Sequence, residues 1–368
     1  MEAEVTRVAI TPLSSVQHGR SARGVPPVQQ DKGRAVHLPF ILVALAILLG
    51  AEILICTTYG AVHIPLHALW HTQSLTETQH IILFTIRLPR VLASAVVGAA
   101  LAVSGLMFQG LFRNPMADPY IIGSSGGAVV GGCIGILFLS QLTIFGFSAT
   151  ALLAFLGSVL TMGVVYSLAR ARGRTNVVTL LLAGFAMSTM LSNSTYVFEI
   201  FDPNPASGTR ALNAWLHGII GIPHWSQLGV TTGILVFSMF AAYPLMRQLN
   251  TLSLGDEYAH HLGIRVEYTR LCIILVASLL TAAAVSLGGL ISFAGLIVPH
   301  VARLFLGPDH VRLLPVTALA GAIFLVLTDT FARTLFAPTE LPVGVLMVFL
   351  GGPFFLYLLR KSKREYVL

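Results

Sequence analysis

The chain has little charge. Asp, Glu, Lys and Arg make up only 10% of its 368 residues, against about a quarter in an ordinary soluble domain. It is poor in cysteine as well. Cys56, Cys133 and Cys272 each lie in an apolar segment with no CxxC spacing, which excludes a disulfide framework and a redox dithiol and leaves them as small packing residues. Three motifs are missing: the G-x-x-x-x-G-K-[ST] nucleotide loop, H-E-x-x-H and G-x-S-x-G. No catalytic residue, metal site or cofactor of its own is therefore expected. If the protein uses ATP and Mg, a partner chain binds and hydrolyses it. The net charge is +7, but the basic residues sit at the ends of apolar runs and form no patch, which argues against nucleic acid as a partner.

Apolar sequence is abundant: 55% of residues are hydrophobic and the mean hydropathy is +0.82. The expected fold class is an all-α polytopic membrane protein, about ten transmembrane helices in one bundle over residues 37–368. Expected spans are 38–58, 90–112, 119–140, 143–170, 177–199, 227–247, 268–288, 291–306, 311–332 and 341–360. The eighth is short and contains Pro299, as suits a partial helix buried in protein. Residues 1–36 are polar and lack periodicity, which predicts a disordered cytoplasmic tail. The apolar run after them is too long for a cleavable signal and lacks an A-x-A site. With both termini cytoplasmic, only Arg87, Arg90, Arg210 and Arg333 of the 22 Lys and Arg fall outside, which satisfies the positive-inside rule.

The stretch from Arg87 to Gly135 organises the rest. Arg87-Leu88-Pro89-Arg90 opens it, two apolar runs follow, and Arg113-Asn114-Pro115-Met116-Ala117-Asp118-Pro119 turns between them. Proline cannot continue a helix, so this turn is short and shaped to be held. Gly123, Gly127, Gly131 and Gly135 recur every four residues on one helix face, which lets a second backbone come close.

Four further groups are candidates for function. Arg87, Arg90 and Arg333 cap the outer ends of helices; they either snorkel, with Asp329 available to Arg333 at i,i+4, or form a cationic outer rim for an acidic partner. His63, His67 and His71, with His80 beyond, share a helical spacing that suits a wet interface or, less commonly, a metal or heme. The polar run Ser192, Asn193, Ser194 and Thr195 either bonds a neighbouring helix or lines a translocation path. From Leu254 to Gly263, residues Leu254, Tyr258, His261 and Leu262 share one face, Asp256 and Glu257 sit where a helix dipole favours them, and Gly263 suits a stop. This short cytoplasmic helix, about 252–263, carries no Lys or Arg on its polar face, which favours docking into a protein over lying on lipid.

At these residues the chain resembles the permease family of bacterial ABC importers for iron chelates, heme and cobalamin (FecCD-like, type II importers). Arg87-Leu88-Pro89-Arg90, Asn114-Pro115 with Ala117-Asp118-Pro119, and Gly123 to Gly127 look like its amino-terminal signature. Gly255-Asp256-Glu257 with Leu262-Gly263 is similar to its coupling helix. The run from Gly289 to His300, then Asp329 with Arg333, then Glu340-Leu341-Pro342-Val343-Gly344, complete the order over about 38–360.

The resemblance implies a homodimer in the bacterial inner membrane, with a cytoplasmic ABC ATPase dimer below and a periplasmic substrate-binding protein above. It implies that Arg87, Arg90 and Arg333 meet that binding protein. It further implies that Leu254, Gly255, Asp256, Glu257, Tyr258, Ala259, Leu262 and Gly263 are held by the ATPase, and that Thr175 and Asn176 lie at a cytoplasmic gate. The cargo implied is heme or another iron chelate; the outer histidines and methionines favour heme, with cobalamin or a ferric siderophore as the alternative. Two competing readings stand beside it. One is an ion-coupled secondary carrier using Glu52 or Asp329; the other is a heme-handling membrane enzyme built on the histidine row.

Overall fold

A computed structural model describes residues 38–365 apart from 61, 63, 66–74, 145, 172–173 and 338. The expected tail, and the row His63, His67 and His71, lie outside the described residues.

The described chain is almost wholly helical. In order come α1 (Leu38–Thr58), α2 (Glu77–Ile81), a π-helical segment (Ile82–Arg87) and α3 (Leu88–Leu111). A 3-10 turn (Pro119–Ile122) leads into α4 (Ser124–Phe138). Next are α5 (Ala149–Ala169), α6 (Val177–Asn193), α7 (Thr195–Ile200), α8 (Pro205–Leu216) and α9 (Trp225–Leu252). The last five are α10 (Asp256–His261), α11 (Val266–Gly288), α12 (Ala294–Leu306), α13 (His310–Thr334) and α14 (Val343–Glu365). Two-residue hairpin strands connect α4 to α5 (β1, Thr143–Ile144; β2, Phe147–Ser148) and α5 to α6 (β3, Arg170–Ala171; β4, Arg174–Thr175).

Among the described residues, eight helical stretches are long and apolar enough to cross a membrane, and α4 and α12 are two shorter apolar helices. Together they give a ten-helix bundle. The expected third span, 119–140, is corrected. Pro119 and Gly123, which turns left-handed at φ 90°, delay the helix to Ser124. Its 15 residues reach about 22 Å at 1.5 Å each, short of a ~30 Å bilayer core. The eighth expected span is likewise reduced to the 13 residues of α12, which keeps Pro299 inside it.

The centre of the bundle is α3. Nearly every residue from Pro89 to Leu111 is buried, and α9, α11, α12 and α13 all pack on it. Its Ala, Gly and Ser content explains why so many helices can reach it: small side chains let backbones approach where water supplies no driving force between helices. At Gly105 an added Cβ would collide with the Gly295 carbonyl of α12. At Gly127, in the four-residue glycine stripe, it would collide with the Gly157 carbonyl of α5.

The Asn114–Pro119 turn is held by the chain itself. The Asp118 carboxylate accepts from the Tyr120 N–H at 2.9 Å and from the Phe293 N–H at 3.4 Å, while the Tyr120 hydroxyl accepts from the Ile291 N–H at 3.2 Å. The two most distinctive runs of the sequence thus meet, one a turn and the other the unwound Gly289–Phe293 link before α12. Burial raises the Asp118 carboxyl above its usual range, and the two N–H donors offset only part of that rise. Phe293 adopts a left-handed φ of 68°, rare for a bulky side chain, so the link is over-determined by its neighbours.

Candidate functional site

α9 ends at Leu252, and Gly255, at φ 128°, opens α10 beside it. Only glycine takes that angle without strain. Ala259 is fully buried against the bundle, whereas Leu254, Tyr258 and Leu262 are 67%, 68% and 68% exposed. At spacings of four they form an apolar ridge pointing away from the chain. Leu262 and Gly263 close the helix, Gly263 at φ 82°.

The acidic end of α10 is anchored from two sides. Asp256 accepts from Arg113 at 2.7 Å and from Arg270 at 2.5 Å. Arg270 also pairs with Glu267 at 2.9 Å, and the second Glu267 oxygen accepts from the Thr175 N–H at 2.8 Å. A continuous polar chain therefore runs from α10 through the first turn of α11 to strand β4. Asp256 and Arg113 are half-exposed, so solvent screens that pair to roughly 1 kcal/mol or less. Arg270 is largely buried, and its two carboxylate partners fix it more firmly. Arg113 reaches Asp256 from a left-handed φ of 49° just past the end of α3, and it also donates to the Leu252 carbonyl.

Thr175 is buried, and Asn176 caps α6 by accepting from the Thr179 N–H at 3.1 Å. Between α10, this hairpin and the start of α11 lies a cleft of about 1110 Å³, lined by Thr175, Asn176, Asp256, Glu257, Glu267 and Arg270. The predicted gate pair and the predicted coupling helix thus share one cleft. Glu267 and Arg270, which join them, are not among the candidates read from the sequence. The i,i+3 spacing of Glu267 and Arg270 at a helix start is the signal that was there to use.

The opposite end of the bundle corrects an expectation. Arg87, Arg90 and Arg333 do not form an exposed cationic rim. Arg90 donates from Nε and Nη2 to Asp329 at 3.2 and 3.1 Å and from Nη1 to Glu340 at 2.8 Å. Arg333 approaches the other Asp329 oxygen at 3.9 Å and donates to the Cys56 carbonyl and to Thr330 Oγ1. The Arg90 and Arg333 side chains are 9% and 7% exposed, and Asp329 is fully buried. Arg87 donates to the Thr58 and Val62 carbonyls at 2.9 and 2.7 Å, in space that a side chain at Gly60 would fill. A buried carboxylate and the bare carbonyls at the end of α1 draw all three guanidinium groups inward. Of the four cations predicted outside, Arg210 on α8 is the exposed one.

The polar run at 192–195 is a helix joint. Asn193, Ser194 and Thr195 each bond back to a carbonyl three or four residues earlier, at 2.7, 2.6 and 2.9 Å, where α6 gives way to α7. Ser192 supplies one of those carbonyls. Side chains returning to their own helix commonly bend it. Of the two acids proposed for an ion-coupled carrier, Asp329 is taken by two arginines, and Glu52 is buried on α1. His80, on α2, packs on Phe84 with ring centres 4.7 Å apart.

The profile of the FecCD transport family matches residues 45–361. The chain belongs to the FecCD transport family. This FecCD chain is 40% identical over 337 residues to the hemin transport system permease protein HmuU of Yersinia pestis, covering 89% of the chain and 96% of that protein. It is 43% identical over 284 residues to the cobalamin import system permease protein BtuC of Halobacterium salinarum, covering 77% and 74%. A solved structure described as an inward-facing metal-chelate type ABC transporter superposes with a TM-score of 0.75 at 29% identity, covering 88% of this chain and 99% of that one. The FecCD chain is thus a multi-pass ABC importer permease.

Proposed function

We propose that this permease is the membrane half of an ATP-driven importer for heme or another iron chelate in a bacterial inner membrane, with both termini cytoplasmic. Two copies enclose one path. A cytoplasmic ABC ATPase dimer binds ATP and Mg, and grips the ridge of Leu254, Tyr258 and Leu262. A periplasmic binding protein delivers cargo at the end that carries α8. The observation that carries this reading is the polar chain Asp256–Arg270–Glu267–Thr175. It gives a push on α10 a short, charge-assisted route to the hairpin at Thr175 and Asn176, which acts as the cytoplasmic gate. The joint at Ser192–Thr195 lets the end of α6 tilt beside the path. Arg90, Arg333 and Asp329 fix the far mouth of the bundle, and Arg87 ties in the end of α1; these arginines shape the docking surface instead of offering it free charge.

Heme is favoured because the hemin permease aligns over 96% of its own length. Cobalamin is the second reading, supported by the 43% identity to a cobalamin permease over 74% of that protein. The test is reconstitution with the cognate ATPase and binding protein, offering heme, a ferric siderophore and cobalamin in parallel. Heme uptake is expected to exceed the other two; uptake of cobalamin alone would overturn the cargo assignment.

A further inference from the structure

The side of the bundle carries an apolar groove away from the α10 cleft. It lies between α9 and α13 and has a volume of about 590 Å³; Leu235, Phe240 and Tyr243 form one wall, and Leu314, Pro315 and Ala318 the other. Phe240 and Tyr243 are exposed. On a chain that spans a membrane, an exposed apolar groove at mid-helix opens on lipid. From Leu235 to Tyr243 it runs about 12 Å at 1.5 Å per residue, close to the depth of one leaflet of a ~30 Å core.

One turn further along α9, towards α10, the Arg247 guanidinium lies 5.6 Å from the centre of the Tyr243 ring. Arg247 is exposed and, among the described residues, has no carboxylate partner. Asp309, at the start of α13, is held by Arg312 at 3.3 Å and by Asn250 at 2.7 Å. The mouth of the groove therefore presents an uncompensated cation above an aromatic ring, with an apolar channel beneath it. That combination complements a negative headgroup joined to a hydrocarbon tail.

We propose that this groove binds one anionic phospholipid of the leaflet on the α10 side, its acyl chain against Phe240 and Ala318 and its phosphate on Arg247. The test is native mass spectrometry of the purified full chain titrated with phosphatidylglycerol or with phosphatidylcholine of the same tails. Wild type is expected to retain phosphatidylglycerol several-fold more than phosphatidylcholine. Arg247→Gln is expected to abolish that preference while leaving phosphatidylcholine retention unchanged. Ala318→Phe, which fills the channel, is expected to lower retention of both lipids; should it fail to fold, Phe240→Ala on the exposed wall is expected to do the same. Equal retention of the two lipids by wild type, or an undiminished preference in Arg247→Gln, would overturn the site. So would full displacement of phosphatidylglycerol by inorganic phosphate, which would mean an anion contact with no tail site. Disulfide-linked dimers of Phe240→Cys would overturn it too, by assigning the groove to a second copy.

Discussion

At the scale of single residues, Asp329 shows how one buried carboxylate gathers the cations at an end of the bundle. Asp329 is fully buried but receives Arg90 and Arg333, so its charge is compensated. Asp329→Asn would leave Arg333 in a dry site with no carboxylate and Arg90 with Glu340 alone. The expected cost is roughly 3–5 kcal/mol, seen as a clear fall in the melting temperature of the purified permease; an unchanged melting temperature would show that water reaches the cluster. The i,i+4 spacing pairs Arg333 with Asp329, but spacing cannot bring Arg90 to the same acid, since 239 residues separate Arg90 from Asp329. Nor could it show that Arg87 faces the end of α1, because that depends on how α1 closes over the bundle. A cation at the end of a helix reads the same in sequence whether it snorkels outward or turns in to a buried acid.

At the scale of elements, α10 is the part whose position agrees best between sequence and structure. Its apolar residues fall at helical spacing, its acids lie in the first turn and glycines bound it, so local chemistry suffices to define it. Tyr258→Asp would put a charge on the exposed ridge without disturbing the buried Ala259. It is expected to weaken co-purification of the ATPase at least ten-fold while the permease keeps its melting temperature. Undiminished co-purification would remove the ridge from that interface. Glu267→Gln tests the link from α10 to the hairpin. It cancels the ion pair with Arg270 and weakens the acceptor for the Thr175 N–H, so substrate moved per ATP hydrolysed is expected to fall several-fold while hydrolysis persists. A constant ratio in proteoliposomes would count against the link. The third expected span begins late for a local reason: periodicity sees an apolar run from Tyr120 onward, but Pro119 and left-handed Gly123 hold its first turn against the unwound Gly289–Phe293 link.

For the whole molecule, hydropathy and the order of motifs were enough to establish a ten-helix importer permease, because a membrane permits few architectures. What they did not show is that the Asn114–Pro119 turn and the Gly289–Phe293 link hold each other, since such pairing is a property of the assembled bundle. On the proposed mechanism, this bundle moves its cargo only when α10 is driven from outside the chain. Uptake of labelled heme into proteoliposomes tests it most directly, with permease and binding protein present and the ATPase supplied or withheld. Uptake is predicted to require both the ATPase and ATP; accumulation by the permease alone, driven by an ion gradient, would contradict it.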